Sequence, residues 1–388
     1  MIYFILFIAL FVGVYRFDFS SKFHQKKEAY YHFILLSFVL LSGLSYKVGS
    51  DINAYMAEFS IISFDSLEDV SLFSFANRQP LWLLFENICK SIIDDFAFMK
   101  IIISVFVCYS FFSFFKSNTI HLFSALLAYY VMMSFDINFN ILRQSISMSL
   151  FLIAYNNLRK KKFIVTYLLI FVSVLFHNSA IVLLIVPLLS RLRISRFPLL
   201  YISVTLGLAL FLVFFLSYSG LLQGLSVLIR SDSFNSFAEV YEGGDYGTSS
   251  VRIVSVVFYL VLLSIFYWGT VKFKFSNDLQ WMFLFYALFF ILSYGIPVIG
   301  RIKLYFVPFY IITVIDLLYV YISKNVFRLN KGILTLLLLF LFLAPSIRYF
   351  FIRNPRYNDL QIVQYYPYHS IIDKRVEPKR EYLFPANY

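Results

Sequence analysis

Long apolar runs, separated by short basic stretches, set the pattern of this chain. Uninterrupted runs of roughly 15 to 21 residues recur along its length, close to the ~20 residues a helix needs to cross ~30 Å of hydrocarbon. They predict helices near 1–15, 30–46, 98–115, 119–135, 142–158, 163–176, 178–190, 197–217, 252–270, 280–299, 302–322 and 332–346. The expectation is an all-α integral membrane protein of about twelve transmembrane helices, because a β-barrel would show short alternating segments instead. The short pair 163–176 and 178–190 reads as tilted or broken. Segment 81–97 carries Glu86, Lys90, Asp94 and Asp95 and reads as an amphipathic helix on the membrane surface. The first run lacks a basic leader and a small-residue cleavage site, so it reads as a retained helix.

Orientation follows from the short basic loops, since Lys and Arg are retained in the cytoplasm. Arg16 with Lys22, Lys26 and Lys27, then Lys116, Arg159 to Lys162, Arg191 with Arg193 and Arg196, Lys272 with Lys274, and Lys324 with Arg328 and Lys331 fall on alternate sides of successive spans. All can be cytoplasmic together, which places the N-terminus and the basic tail 347–388 outside. The polytopic domain is then 1–346, with two long outer loops, 47–97 and 218–251. Loops of that length are usually functional or disordered, and their Tyr, Asn, Asp and Glu content suits a polar, ring-shaped ligand as well as it suits plain solvation.

Composition sharpens this reading. The 388 residues are 61% hydrophobic and 14% charged, more apolar surface than a soluble core of this length buries. A net charge of +12 arises mostly from the cytoplasmic loops and fits attraction to membrane lipids, so nucleic acid is not needed as a partner. Two cysteines, Cys89 and Cys108, are too few for a disulfide framework.

Against this background, a few polar residues emerge together on the outer side: Gly49-Ser50-Asp51, Arg78, Arg143-Gln144, His177-Asn178-Ser179 and Arg301. Ionisable groups at membrane depth are costly, so a convergent set points to a site. Arg143 and Gln144 open a helix whose Ser145, Ser147 and Ser149 extend a polar face; interfacial snorkelling is the competing use of the arginine. His177 can bind a phosphate when charged or take a proton when neutral, or simply cap a helix. Guanidinium groups pair bidentately with phosphate, so Arg143, Arg301 and Arg78 are candidates to share a diphosphate. Asp51 is either an N-cap of the helix that follows or a carboxylate acting as base or sugar-hydroxyl acceptor. No second His stands at ligand spacing, so neither a metal nor a cofactor is expected.

Taken in order, YKVGSDINAYMAEF, NRQPLWLLFENI, NILRQSISMSLFLIAYNNLRKKKF, LFHNSAIVLLIVPLLSR, GRIKLYF and YYPYHSII resemble the EpsG group of Wzy-type polysaccharide polymerases over nearly the whole chain. The acidic residue that often precedes the proline of the second motif is Gln79 here, before Pro80. The resemblance implies a GT-C-like membrane glycosyltransferase of the bacterial inner membrane, with its active site facing the periplasm. It would move a growing glycan from an undecaprenyl-diphosphate carrier onto another lipid-linked repeat unit, with a separate chain-length regulator as a further partner. On this reading Arg143, Gln144, Arg301, Arg78 and Ser179 bind the diphosphate and substrate, Arg143 also stabilises the leaving group, and His177 or Asp51 is the base.

Rival readings are a lipid-linked polysaccharide flippase or other transporter, an O-antigen ligase, and a membrane acyltransferase. A transporter should show related halves, and no convincing internal repeat is present. The order Asp, Arg-Gln, His-x-Ser and late Arg favours the polymerase over the ligase.

Overall fold

The computed structural model describes residues 2–19, 24–63, 79–192, 207, 250–293, 299–323, 339–340, 343–344, 346–354 and 358–385, and it is helical almost throughout. Strand is confined, among these residues, to the antiparallel pair Arg353–Asn354 and Asp359–Leu360. The helices are α1 (Ile2–Gly13), α2 (His24–Gly43), α3 (Ile52–Ile61), α4 (Pro80–Ile92), α5 (Phe96–Asn118), α6 (Leu122–Tyr129), α7 (Leu142–Arg159) and α8 (Phe163–Phe176). Further along the chain lie Ser250–Lys272, Asn277–Leu292, Ile299–Leu304 and Val307–Ser323. The expected segment 197–217 and the outer loop 218–251 lie almost entirely outside the described residues, as does most of 332–346.

The helices are inverted relative to a water-soluble bundle. Exposed apolar side chains line up at helical spacing, as in Ile164 (79%), Leu168 and Phe171 on α8, or Phe258, Val261, Ile265 and Trp268 further along. Polar residues meanwhile turn inward, with Gln144, Ser145, Ser147 and Ser149 of α7 all buried. Outward apolar stripes suit hydrocarbon and would be a liability in water. By length and composition α5 is the one described helix that suffices to cross a membrane, and six shorter apolar helices accompany it.

Several local expectations need correction. The segment 119–135 extends further than expected: α6 runs on through π-helical turns at Tyr130–Ser134 and Asp136–Asn140, closed by Ile141 N–H to Asp136 O at 3.0 Å. Those short polar side chains bond other segments instead of capping a local turn. Segment 178–190 is a 3₁₀ helix, Asn178–Ile185, that tightens ahead of Pro187 before one α turn, Val186–Leu189. The span placed at 302–322 is two helices, broken at Tyr305-Phe306, so Arg301 sits inside the short helix Ile299–Leu304. In α4, buried Trp82, Glu86 and Asn87 face the protein while Leu84, Ile88 and Ile92 are exposed, so its acidic residue serves the interior.

The C-terminal tail packs back onto the loop that follows α2. Tyr46 N–H donates to His369 O and Ile371 N–H to Leu44 O, both at 2.8 Å, and Lys47 pairs with Glu381 at 2.7 Å. Gly49 holds φ +117°, and a Cβ there would meet Phe139 O at 2.2 Å, so only glycine permits this approach. Gly49→Ala should therefore destabilise the fold by about 1–3 kcal/mol or more, read as a lower melting temperature in detergent, while Gly300→Ala, whose nearest neighbour is 4.0 Å away, leaves it unchanged. Equal melting temperatures for both variants would contradict this packing.

Candidate active site

The site is built where α6 hands over to α7. Asn140 ends the π-helical turn, Ile141 leaves helical geometry, and α7 restarts at Leu142, which puts Arg143 and Gln144 in its first turn. Asn140 Oδ1 accepts Ser50 N–H at 2.8 Å, and its Nδ2 donates to Tyr365 Oη at 2.6 Å, to Asp136 Oδ1 at 3.1 Å and to Gln364 Oε1 at 3.2 Å. Tyr365 in turn donates to Asp136 Oδ1 at 2.7 Å, and Gly49 N–H to Gln364 O at 2.9 Å. One amide side chain thus fixes the Gly49-Ser50 backbone, the end of α6 and the tail together.

Arg143 reaches from this junction toward α3 and the start of α4. Its Nη1 donates to Gln79 Oε1 at 2.9 Å, its guanidinium lies 5.9 Å from the Tyr55 ring, and Glu58 and Glu86 act on it electrostatically. Where an acidic residue would form an ion pair, Gln79 offers a neutral oxygen, so this contact orients the guanidinium without cancelling its charge. Arg143 Nε is buried and has no hydrogen-bond partner among the described residues. Gln144 Nε2 donates to Arg301 O at 2.6 Å, while its Oε1 is likewise buried and unpartnered. Buried polar groups are nearly always satisfied, so two adjacent unpartnered atoms make this a candidate ligand site.

His177 ends α8 and caps the 3₁₀ helix that follows. Its Nδ1 lies 2.6 Å from Ser179 Oγ, which donates to Tyr305 Oη at 3.2 Å; Tyr305 Oη is 2.8 Å from Ser147 Oγ, and Ser147 donates to Ser173 O at 2.9 Å. The ring is thus tied at Nδ1, and a proton on Nδ1 would leave the Nε2 lone pair free. Ser179 N–H also approaches Nδ1 at 3.4 Å, the contact by which His177 caps that helix. Burial, and after it the positive charges of Arg143 and Arg301, push the His177 pKa down from 6.5 to about 3.

Arg143, Gln144, His177, Ser179 and Arg301 are therefore brought together from α7, the turn after α8 and the helix Ile299–Leu304. Asp51 lies one turn before Tyr55 on α3, the residue whose ring faces Arg143. It holds the N-cap position of α3 yet makes no side-chain cap; its carboxylate accepts Ser50 Oγ at 2.9 Å, and its charge acts on Asp136. Arg78 lies outside the described residues.

Other members of the site escape sequence reasoning. Tyr305 is one tyrosine among 30, and nothing marks it in the chain. Ser173 sits in an apolar run; its Oγ donates to Ser147 O at 2.8 Å, which ties α8 to α7. Glu58 and Glu86, both buried, carry no signal in the sequence that places them near Arg143. Lys303, two residues after Arg301, was a visible signal, since a second cation in so short a helix is unusual.

The sequence model of the EpsG family matches residues 28–370, a range that includes every residue of this cluster. No curated protein and no solved structure matches the chain.

The depressed His177 pKa has a thermodynamic signature. The unfolded chain takes up a proton near pH 6.5 that the folded chain refuses until about pH 3, so stability falls as pH drops through that window and is unaffected above it. Melting curves should show the wild type losing stability relative to His177→Gln between pH 6.5 and 4, with no divergence between pH 7 and 9; parallel curves over both ranges would mean the imidazole titrates normally.

Proposed function

Because the chain belongs to the EpsG family, which supports a membrane enzyme of polysaccharide-polymerase type, we propose that it is a repeat-unit polymerase acting at the outer face of a bacterial inner membrane. On this reading the chain is a GT-C-like bundle of about twelve crossings, its donor and acceptor are undecaprenyl-diphosphate-linked oligosaccharides, and no metal takes part. The observation that carries the reading is the convergence of Arg143 and Arg301 on His177, beside the unpartnered Arg143 Nε and Gln144 Oε1.

In the reaction the bond between the anomeric carbon of the donor glycan and its diphosphate breaks, and an acceptor hydroxyl oxygen takes that carbon. Negative charge grows on the departing diphosphate, where Arg143 and Arg301 stabilise it more strongly than in the ground state. Gln79 orients Arg143 by a neutral hydrogen bond, while Glu58 and Glu86 act on its charge. The hydroxyl proton passes to His177 Nε2. A ligand-free imidazole with its pKa pushed down to about 3 is a weak base, but the two guanidinium charges contribute to that depression, and a bound diphosphate counters them. Base strength therefore rises when the donor is in place, which limits proton transfer to the loaded site. Ser179, backed by Tyr305, ties the ring at Nδ1. Asp51, near the junction, accepts a hydroxyl of the acceptor sugar.

Surface polysaccharide from a deletion strain, resolved on a gel, tests the reading. Loss of the gene should leave single repeat units on their acceptor, and wild type should restore the ladder. At matched expression, Arg143→Ala, Arg301→Ala and His177→Ala should each lower polymerisation by about 100- to 1000-fold and fail to restore it. Complete loss of surface repeats on deletion would point to a flippase or ligase, and full ladders from all three variants would reduce the cluster to a structural role.

A further inference from the structure

A cavity of about 460 Å³ has Lys303 and Leu304, from the end of the helix Ile299–Leu304, in its wall. Its walls come from the end of α6, the helices Ser250–Lys272, Asn277–Leu292 and Val307–Ser323, and the tail, and they include Met132, Met133, Leu262, Leu263, Tyr286 and Tyr310. Lys303 and Asp136 are the charged residues in the lining. The Asp136 carboxylate already accepts from Tyr365 and Asn140. Lys303 has no hydrogen bond or ion pair among the described residues; its ammonium lies 5.4 Å from the Phe290 ring, and Asp136 acts on it only through space.

We propose that this cavity holds the phosphate-proximal part of a polyprenyl chain, with Lys303 binding a phosphate oxygen. The identity of the lipid rests on the polymerase reading; the place assigned to it rests on the cavity. A volume of this size falls within the range of ligand pockets, and the walls, aromatic in large part with Met132, Met133 and aliphatic side chains between the rings, present apolar surface to a branched hydrocarbon. A sugar subsite would instead need several directed amide or carboxylate partners, whereas the carboxylate here is engaged and the lining contains neither Asn nor Gln. The unpartnered ammonium selects an amphiphile with an anionic head. Two residues along an α-helix turn a side chain by about 200°, so Arg301 and Lys303 project to opposite sides of one short helix. A diphosphate lying across that helix meets Arg301 on the catalytic side while its lipid enters the cavity beside Lys303.

The test is equilibrium binding of radiolabelled undecaprenyl phosphate to the full-length protein in detergent, a probe that carries no sugar and undergoes no turnover. Lys303→Gln should weaken binding by about tenfold or more, while Lys303→Arg keeps it near wild type. Met132→Trp and Leu262→Trp, at half-buried lining positions that tolerate bulk, should weaken it as well. Excess phosphatidylglycerol, inorganic diphosphate and the free repeat-unit oligosaccharide should each compete poorly. Unchanged binding in both tryptophan variants, or equal affinity of Lys303→Gln and wild type, overturns the assignment. Equal competition by phosphatidylglycerol would make the cavity a general lipid site, competition by inorganic diphosphate would place binding at the arginines alone, and competition by the oligosaccharide would make it a sugar subsite; each result also overturns it. A protein that builds ladders yet fails this binding test loses the cavity assignment alone, and one that binds but never polymerises loses the polymerase reading alone.

Discussion

The architecture of the site depends on the Asn140 amide. A buried amide has four hydrogen-bonding capacities, and here its partners come from three places far apart in sequence: Ser50, Asp136, and the tail residues Gln364 and Tyr365. Leaving such groups unsatisfied in a low-dielectric interior is costly, so the three segments are held to one arrangement. Glycine at position 49 is the steric counterpart, since the Phe139 carbonyl lies where a side chain would begin. Two residues beyond Asn140, α7 starts, and the direction in which it leaves the junction decides where Arg143 and Gln144 point.

From that fixed start, the site is assembled by polar contacts between helices in apolar surroundings. Helix association there gains little from hydrophobic burial, so small residues and cross-helix hydrogen bonds do much of the positioning. Ser147 and Ser173 exchange hydroxyl-to-carbonyl bonds between α7 and α8, and Tyr305 links them to Ser179 and His177. The serine face of α7 is thus used for packing and for orienting the imidazole. Two guanidinium groups near one histidine are a poor arrangement in isolation. On the proposed reading they suit a dianion, whose charge would offset their effect on the imidazole.

The apolar runs made the helices legible, because a 20-residue stretch without charge has few alternatives to helix in hydrocarbon. The order of Arg143, His177 and Arg301 was legible for the same reason: charges are rare there, and each one stands out. What the sequence concealed depends on long-range pairing. Asp136 and Asn140 read as turn formers because their side chains can bond nearby backbone, yet here they bond the tail and each other. The break at Tyr305-Phe306 is marked by Pro308 in the first turn of the helix that follows, a signal that a single span over 302–322 passes over. Gln79 looked like a lost carboxylate, and only its contact with Arg143 shows what the neutral amide does.

The most direct measurement is product analysis with purified protein reconstituted in liposomes and supplied with a synthetic undecaprenyl-diphosphate-linked repeat unit. The account predicts that dimers and longer lipid-linked oligomers appear together with free undecaprenyl diphosphate, one released for each glycosidic bond formed, and that Arg143→Ala slows both products equally. Oligomers without stoichiometric release of the diphosphate, or transport of the substrate across the bilayer with no bond formed, would contradict it.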